Sequence, residues 1–177
     1  MSAKRAVDLT GSLILLLMLS PTLLAAAAAV ALTSPGPVLV RRERTGLGGR
    51  PFTMFTFRTR HADSLTPVGR LLRRRLMDRL PQLINVVRGE MSLVGPRPLP
   101  PARDPGAVRG VAERARLAVR PGITGLWQIS GRSELPWEEM AVLDLHYVEQ
   151  HWLGLDLVIL ARTVPAAVAG RPVVRVA

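Results

Sequence analysis

The segment that decides the architecture is the uncharged run from residue 9 to residue 40, LTGSLILLLMLSPTLLAAAAAVALTSPGPVLV. Within it, the part from Leu13 to Leu32 is dominated by leucine and alanine. A stretch of about 20 predominantly apolar residues is long enough to lie in the hydrocarbon core of a bilayer. The run therefore predicts that the chain is attached to a membrane through its N-terminal part.

Basic residues flank this run on both sides, with Lys4 and Arg5 before it and Arg41, Arg42 and Arg44 after it. Because Lys and Arg favour the cytoplasmic side of a membrane, these flanks favour an arrangement in which both ends stay in the cytoplasm. Two alternatives remain open. A straight spanning helix would separate the two basic clusters, and a secretory signal peptide has an apolar core of only about 7 to 15 residues.

Ser20 and Pro21 lie near the middle of the run. A proline inside a helix removes a backbone hydrogen bond and clashes with the preceding turn, so the helix must bend there. Each arm of about 14 residues would rise about 21 Å, less than the roughly 30 Å of the hydrocarbon core. We therefore predict a re-entrant membrane helix hairpin over residues 1–37, followed by a cytoplasmic domain over residues 38–177.

Short extended and helical patterns follow the hairpin. Residues 38–44 and 52–58 are rich in strand-forming side chains and are separated by glycines, which predicts a β-hairpin. After Thr66-Pro67, leucines recur at helical spacing through a basic segment, which predicts an amphipathic helix. Because proline is well tolerated in the first turn of a helix, Pro81 predicts a break near Asp78 and a new helix start.

The C-terminal half contains two segments rich in proline and glycine, residues 96–105 and 120–132, which are predicted to be irregular. A helix is predicted from about residue 133 to residue 152. The apolar run that follows, residues 153–168, is suited to a core or to a membrane surface. The expected fold is α/β and helix-rich, with membrane-surface amphipathic helices beside the N-terminal hairpin.

Composition excludes several classes of protein. The chain of 177 residues has no cysteine, so disulfides, thiolate metal sites and a cysteine nucleophile are impossible. Its 24 Lys and Arg against 13 Asp and Glu give a net charge of +11, which attracts anionic lipid, phosphorylated substrates or nucleic acid. Aromatic residues are only 4%, and no zinc-finger or basic-zipper pattern occurs, so we expect no nucleic-acid binding.

Two long motifs carry a resemblance to a known family: LPQLINVVRGEMSLVGPRP at residues 80–98 and RPGITGLWQISGR at residues 120–132. They resemble the bacterial sugar transferases, the monotopic polyprenyl-phosphate phosphoglycosyl transferases. The resemblance covers nearly the whole chain in order, and it implies a re-entrant hairpin, a small α/β catalytic domain and surface helices. Shorter matches occur at Lys4-Arg5 with Asp8, Ser20-Pro21, residues 34–38, residues 57–59, Asp144, Tyr147-Val148 and from Leu155-Asp156 to Thr163.

The resemblance implies a two-step transfer at the cytoplasmic face of a bacterial inner membrane. An aspartate, here Asp78, attacks the sugar-linked phosphate of a UDP-sugar, UMP leaves, and the phosphosugar passes to undecaprenyl or another polyprenyl phosphate. A carboxylate is a competent nucleophile for phosphorus, and two steps let a soluble donor and a lipid acceptor use one site in turn. The reaction would begin exopolysaccharide or glycoconjugate synthesis, with downstream glycosyltransferases as partners.

Two positions depart from the family pattern. The family has a glutamate, linked to bound magnesium, directly after this aspartate, where this chain has Arg79, and Thr56 stands where the family has a lysine. A guanidinium reverses the local charge and removes a hard oxygen ligand. The resemblance still implies Mg²⁺ as cofactor, with help from Glu90. The alternative function is a catalytically inactive relative that binds polyprenyl phosphate or partner glycosyltransferases at the membrane.

Further site residues follow from the same resemblance. Arg97, between two prolines, matches a family position suited to diphosphate binding, and an arginine fork is a good phosphate ligand. Arg58 and Arg73 are additional candidates for phosphate binding. Asp144 and Asp156 are candidate metal or sugar ligands. The three tryptophans, Trp127 among them, are expected to pack in the core or to anchor the chain at the membrane interface.

Overall fold

The computed structural model describes residues 3–62, 64–101, 110–129 and 137–169. These residues form eight α-helices and six short strands, so the predicted helix-rich α/β class is confirmed. The helices are α1 Ala3–Met18, α2 Ser20–Thr33, α3 Pro67–Arg74, α4 Gln82–Arg88, α5 Val111–Arg116, α6 Leu126–Ile129, α7 Trp137–Gln150 and α8 Leu153–Ala169. The strands are β1 Leu39–Thr45, β2 Pro51–Phe57, β3 Arg60–His61, β4 Ser64–Leu65, β5 Ser92–Val94 and β6 Gly122–Thr124.

Helices α1 and α2 form a bent pair, with an angle of 63° at Leu19. Pro21 lies in the first turn of α2, where its missing N–H removes no intrahelical bond. The Ser20 hydroxyl donates to the carbonyl oxygen of Leu17 at 2.8 Å and so satisfies an acceptor at the end of α1. The bend therefore falls at the predicted residues. Within the described ranges no single helix is long and apolar enough to cross a membrane, although this bent pair is when both helices are taken together.

Three polar side chains fasten α1 to the rest of the chain. The Arg5 guanidinium donates to the carbonyl oxygens of Val86 and Val87, at 2.7 and 3.1 Å, near the C-terminal end of α4. The buried Asp8 carboxylate accepts hydrogen bonds from the Ser92 hydroxyl and from the backbone N–H of Leu93 in β5. The Lys4 ammonium forms an ion pair with Asp156 of α8, at 2.6 Å. The hairpin is thus docked against three separate elements by its first two turns.

The strands pair as two kinds of ladder. Strands β1 and β2 form the predicted antiparallel hairpin, with Leu39 opposite Phe57 and Thr45 opposite Pro51. Strands β5 and β6 pair in parallel, although the sequence predicted an irregular loop over residues 120–132. That prediction was wrong at β6 and α6, because Gly122 marks a close approach of two backbones and not a turn. A Cβ on Gly122 would lie only 2.0 Å from the nitrogen of Gly95.

The main hydrophobic core surrounds α4 and β5. It contains Val86, Met91, Val94, Tyr147 and Ile159, each almost completely buried. A second apolar cluster joins α2 to β2 and α3 through the side chains Ala26, Val30, Phe57 and Leu72. Together the two clusters fix the position of the turn between α3 and α4, which is where the sequence places Asp78.

Candidate active site

A cleft of about 490 Å³ opens between the β1–β2 hairpin, the turn that joins α3 to α4, and the segments that carry Arg97 and Trp127. Its volume lies within the range of roughly 300–1,000 Å³ that is usual for small-molecule sites. Among the described lining residues Asp78 is the only carboxylate. The same lining includes seven arginines, which are Arg42, Arg44, Arg58, Arg60, Arg73, Arg79 and Arg97.

A left-handed residue brings Asp78 to the cleft. Helix α3 ends at Arg74, and Leu76 then adopts φ 57° and ψ 14°, a conformation that few residues other than glycine adopt. The chain reverses into a single turn of 3-10 helix, Met77–Arg79, before α4 begins at Gln82. Such a backbone conformation costs about 1 to 3 kcal/mol, and here the surrounding core holds it. The predicted break near Asp78 is confirmed.

Two opposing effects act on the half-buried Asp78 carboxyl group. Burial raises its pKa, because the charged form loses solvation, and the positive charges of Arg79 and Arg73 partly offset that rise. The result is a carboxyl group whose pKa lies above its ordinary value beside two cations that stabilise the ionised form. A nucleophilic carboxylate with a raised pKa is also a better base than a solvated one.

Arg79 is fixed by two neighbours on α6. One of its terminal nitrogens donates to the side-chain oxygen of Gln128 at 2.7 Å, and Gln128 is only 3% exposed. Its guanidinium carbon lies 5.1 Å from the centroid of the Trp127 ring, within the range of a cation–π contact. Arg79 is therefore held at the wall of the cleft, next to Asp78 in the chain.

Arg97 is exposed and contacts the ring of the same tryptophan. The guanidinium carbon of Arg97 lies 5.3 Å from the Trp127 ring centroid, and one of its terminal nitrogens donates to the sulfur of Met140 at 3.7 Å. A guanidinium that rests on an aromatic ring keeps its donors available while its orientation is restricted. Arg79 and Arg97 thus converge on one indole at the cleft.

A buried ion pair holds the backbone of Arg97. Asp144 on α7 and Arg116 on α5 are joined at 2.5 Å, and their side chains are 1% and 2% exposed. Asp144 accepts from the backbone N–H of Arg97 at 3.2 Å, while Arg116 donates to the carbonyl oxygen of Arg97 at 3.1 Å. Burial raises the pKa of Asp144 to about 6 in spite of its partner. The pair therefore clamps both peptide groups that flank the Arg97 side chain.

The other two predicted phosphate ligands, Arg58 and Arg73, differ in the number of hydrogen bonds that their side chains make within the protein. The guanidinium of Arg58 is buried against the end of α2, where it donates to Pro37 at 2.7 Å and to the carbonyl oxygen and hydroxyl of Ser34 at 2.6 and 2.8 Å. These bonds fasten the end of the hairpin to the segment that follows β2, and the role of Arg58 in phosphate binding remains a prediction. Arg73 donates to the Thr59 hydroxyl at 3.0 Å and acts electrostatically on Asp78.

Comparison with known proteins identifies the family. Residues 1–170 match the family model for bacterial sugar transferases. The chain is 42% identical over 184 residues to the UDP-glucose:undecaprenyl-phosphate glucose-1-phosphate transferase of Caulobacter vibrioides, covering 92% of this chain and 68% of that protein. It is 43% identical over 176 residues to the sugar transferase EpsL of Bacillus subtilis, covering 93% and 86%. This chain belongs to the bacterial sugar transferase family.

A third relative of this sugar transferase places the shared region within a longer protein. The UDP-glucose:undecaprenyl-phosphate glucose-1-phosphate transferase of Escherichia coli is 38% identical over 182 residues, which cover 91% of this chain and 39% of that protein. Both long motifs and the cleft that they form lie within the matched residues of the family model.

The remaining predicted ligands of the transferase lie outside the described lining of the cleft. Glu90 accepts from the Asn85 amide at 2.6 Å and so braces α4 against β2. Asp144 is engaged by Arg116, and Asp156 is shared by Lys4 and the Tyr147 hydroxyl at 2.6 and 2.7 Å. Each of these three carboxylates thus bonds to a neighbouring side chain in the structure, and their roles as metal or sugar ligands remain predictions.

The donor set of the cleft does not fit a magnesium ion. Mg²⁺ prefers an octahedral shell of oxygen ligands supplied by carboxylates, phosphates and water. The described lining offers Asp78 as its single carboxylate, surrounded by guanidinium groups that repel a divalent cation. The described part of the chain also contains no group of three or more His, Asp or Glu residues placed to hold a metal.

Sequence reasoning missed the residues of the transferase that orient its arginines. Trp127 was expected in packing or at a membrane interface, yet it lies in the cleft beneath two cations. Gln128 and Arg116 were not singled out, since nothing in their local sequence shows that Arg79 or Arg97 is nearby. The one available signal was the position of Trp127 and Gln128 inside a long family motif.

Proposed function

We propose that this protein transfers a sugar 1-phosphate from a UDP-sugar to undecaprenyl phosphate, with Asp78 as the nucleophile. One observation carries the proposal. Asp78 is the only carboxylate among the described residues of a cleft lined by seven arginines, which is suited to a substrate with several phosphate charges. The Caulobacter and Escherichia relatives are named for this class of transfer, with UDP-glucose as donor.

In the first step an oxygen of the Asp78 carboxylate attacks the phosphorus that bears the sugar. The bond from that phosphorus to the bridging oxygen breaks, and UMP leaves with the electron pair. The product on the protein is a mixed anhydride of Asp78 and the sugar phosphate. Arginines that line the cleft, Arg79 and Arg97 above all, stabilise the charge that develops on the leaving phosphate.

In the second step a phosphate oxygen of the polyprenyl phosphate attacks the same phosphorus. The bond to Asp78 breaks, the carboxylate is regenerated, and the lipid diphosphate sugar leaves. Because each step transfers one phosphorus between two oxygens, no oxidant or reductant is required. A single arginine-lined cleft can serve both steps, since the donor and the acceptor both present phosphate at the reacting end.

Attachment to the cytoplasmic face of a bacterial inner membrane accounts for the surface of the hairpin. Large apolar side chains on both arms are exposed, with Leu17 at 77%, Leu24 at 71% and Leu32 at 86%. Helices α7 and α8 also expose Val142 and Leu157. Contiguous exposed apolar surface of this kind marks an interaction with lipid or with another protein. Lipid contact would bring the acceptor phosphate to the cleft.

The decisive experiment measures UMP release by the purified membrane protein from a panel of UDP-sugars, with and without undecaprenyl phosphate. The parent is expected to release UMP continuously with the acceptor, and to retain about one labelled sugar phosphate per chain without it. Asp78→Asn should lose both signals, because an amide cannot form the anhydride. Glu43→Gln, an exposed acid-to-amide change on β1 outside the cleft lining, serves as the matched control.

Two results would contradict the proposal. UMP release that survives Asp78→Asn would exclude this residue as the nucleophile. A parent without turnover, combined with turnover in Arg79→Glu, would instead favour an inactive relative that binds polyprenyl phosphate. Arg79 is the observation behind this second candidate function, since it stands at the position that the family fills with glutamate.

A further inference from the structure

The charged side chains of the cleft that would contact the diphosphate of the donor are mostly arginines. A UDP-sugar carries two negative charges on its diphosphate, and enzymes of phosphoryl transfer often neutralise such charge with bound divalent ions. Here the described lining presents seven guanidinium groups against one carboxylate. Positive charge is already concentrated where a metal ion would otherwise supply it.

The electrostatics of Arg44 reflect the concentration of positive charge among the described lining residues. Burial lowers the pKa of Arg44, and the nearby charges of Arg42 and Arg97 lower it further. An anion that entered the cleft would relieve this repulsion, whereas a divalent cation would increase it. The cleft is therefore complementary to phosphate before any metal is considered.

Arg79 is the best placed member of this cluster. It adjoins Asp78 in the chain, and the Gln128 oxygen at 2.7 Å together with the Trp127 ring at 5.1 Å restricts its guanidinium. The guanidinium carbon of Arg97 lies 5.3 Å from the centroid of the same ring, and the backbone of Arg97 is hydrogen-bonded to Asp144 and Arg116. Both guanidinium groups therefore line the same cleft beside one indole ring, and two arginines in one cleft are suited to bind the oxygens of a diphosphate.

We propose that this transferase binds and activates its donor without a divalent metal, and that Arg79 supplies the positive charge that a metal ion would otherwise supply beside Asp78. The inference deepens the proposed function and rests on it. It assigns Arg79 to the substrate's diphosphate. On this view the replacement of an acidic residue by Arg79 does not disable the site but changes the means by which phosphate charge is neutralised.

The test begins with binding, so that it does not depend on turnover. Titration of UDP into the purified protein is measured by calorimetry in EDTA and in millimolar magnesium. The parent should bind UDP with affinities that agree within about twofold, because its charge compensation is built in. Arg79→Gln should bind about tenfold or more weakly in both buffers, as expected for the loss of a charge-assisted contact.

Arg79→Glu is the discriminating variant. It should bind UDP poorly in EDTA and regain affinity in magnesium, since two adjacent carboxylates create a cation site. Binding of Mn²⁺, followed by its electron paramagnetic resonance signal, should be detectable in Arg79→Glu and weak in the parent. Arg74→Glu has the same change of charge on an exposed position outside the cleft lining, and it should behave as the parent.

UMP release in the same two buffers completes the design. Parent turnover that persists in EDTA supports the inference. Parent binding and turnover that both require magnesium would overturn it and leave the proposed transfer intact. A parent that binds UDP equally well in EDTA but never releases UMP would overturn the proposed transfer and leave the assignment of Arg79 to the diphosphate standing.

Discussion

At the scale of single residues, the cations around Asp78 control the pH range in which it can act. Only the ionised carboxylate attacks phosphorus, and burial already raises its pKa while Arg73 opposes that rise. Arg73→Gln removes one opposing charge, so the pKa of Asp78 should rise further. We expect the acidic limb of kcat/KM for UMP release to move to higher pH, with several-fold lower activity at the acidic end.

The control for this change is Arg70→Gln, an exposed arginine on the same helix that does not line the cleft. Its pH profile should coincide with that of the parent. An acidic limb that stays in place in Arg73→Gln, or moves to lower pH, would show that Arg73 does not stabilise the ionised form of Asp78.

The buried pair Asp144 and Arg116 is predicted to position Arg97 and not to touch substrate. Removing one partner leaves a buried charge, so Asp144→Asn should lower the free energy of unfolding by about 3 to 5 kcal/mol. The double change Arg116→Met with Asp144→Leu removes both charges and should be far less destabilising. The double variant should raise KM for the UDP-sugar by roughly tenfold, because it removes both hydrogen-bond partners of the Arg97 backbone, whereas Asp144→Asn keeps an acceptor oxygen and Arg116.

Comparing thermal unfolding with KM separates the two roles of this pair. If the double variant recovers both the stability and the KM of the parent, the pair is only structural. A recovered stability with a KM that stays high would identify Asp144 and Arg116 as positioning residues for Arg97.

At the scale of secondary structure elements, α1 contributes stability to the strand that borders the site. Asp8 accepts hydrogen bonds from Ser92 and from the N–H of Leu93, and all three groups are buried. Asp8→Ala leaves those donors unsatisfied, so we expect the free energy of unfolding to fall by about 1 to 3 kcal/mol. Thermal unfolding in detergent measures this change, with exposed Thr10→Ala on the same helix as the control. Equal unfolding temperatures for the two variants would contradict the docking role of Asp8.

The elements that could be predicted from sequence are those with local signals. Thr66 precedes Pro67 and accepts a hydrogen bond from the N–H of Gly69 at 2.9 Å, so the start of α3 is encoded in four consecutive residues. The β1–β2 hairpin and the bend at Ser20 are equally local. Strands β5 and β6, by contrast, have three residues each, which is too few for an alternating pattern to show, and their paired residues lie 30 positions apart.

The same distinction applies to the candidate site. Arg97 was predicted because it lies inside a long motif, and Asp78 because it lies two residues before that motif. Their supports could not be found in this way, since the contact between Arg79 and Gln128 joins residues 49 positions apart. Glu90 and Asp156 remain candidate ligands from sequence, and only the fold shows that Glu90 bonds to Asn85 and that Asp156 pairs with Lys4.

At the scale of the whole molecule, the proposed transfer requires the cleft to reach the phosphate of a lipid while the apolar hairpin contacts the membrane. Arg58 connects them, because its guanidinium is bonded to Ser34 and Pro37 at the end of α2 while its backbone follows β2 into the cleft wall. In the proposed membrane-bound arrangement, the depth of the hairpin would therefore set the height of the cleft above the bilayer. A hairpin that enters one leaflet would keep the cleft at the level of the headgroups, where the acceptor phosphate lies.

This arrangement predicts where the two ends of the hairpin are accessible. The chain has no cysteine, so single cysteines can be introduced at Ala3, at Arg41 and at Met18, all of them exposed positions. In inverted membrane vesicles an impermeant thiol reagent should label Ala3→Cys and Arg41→Cys, since both lie on the cytoplasmic side. In right-side-out vesicles neither should react before permeabilisation. Met18→Cys, close to the bend, should be protected by lipid in both. Labelling of positions 3 and 41 from opposite sides would require a spanning helix. In that case the bonds of Arg58 to the end of α2 would no longer determine the distance between the cleft and the bilayer.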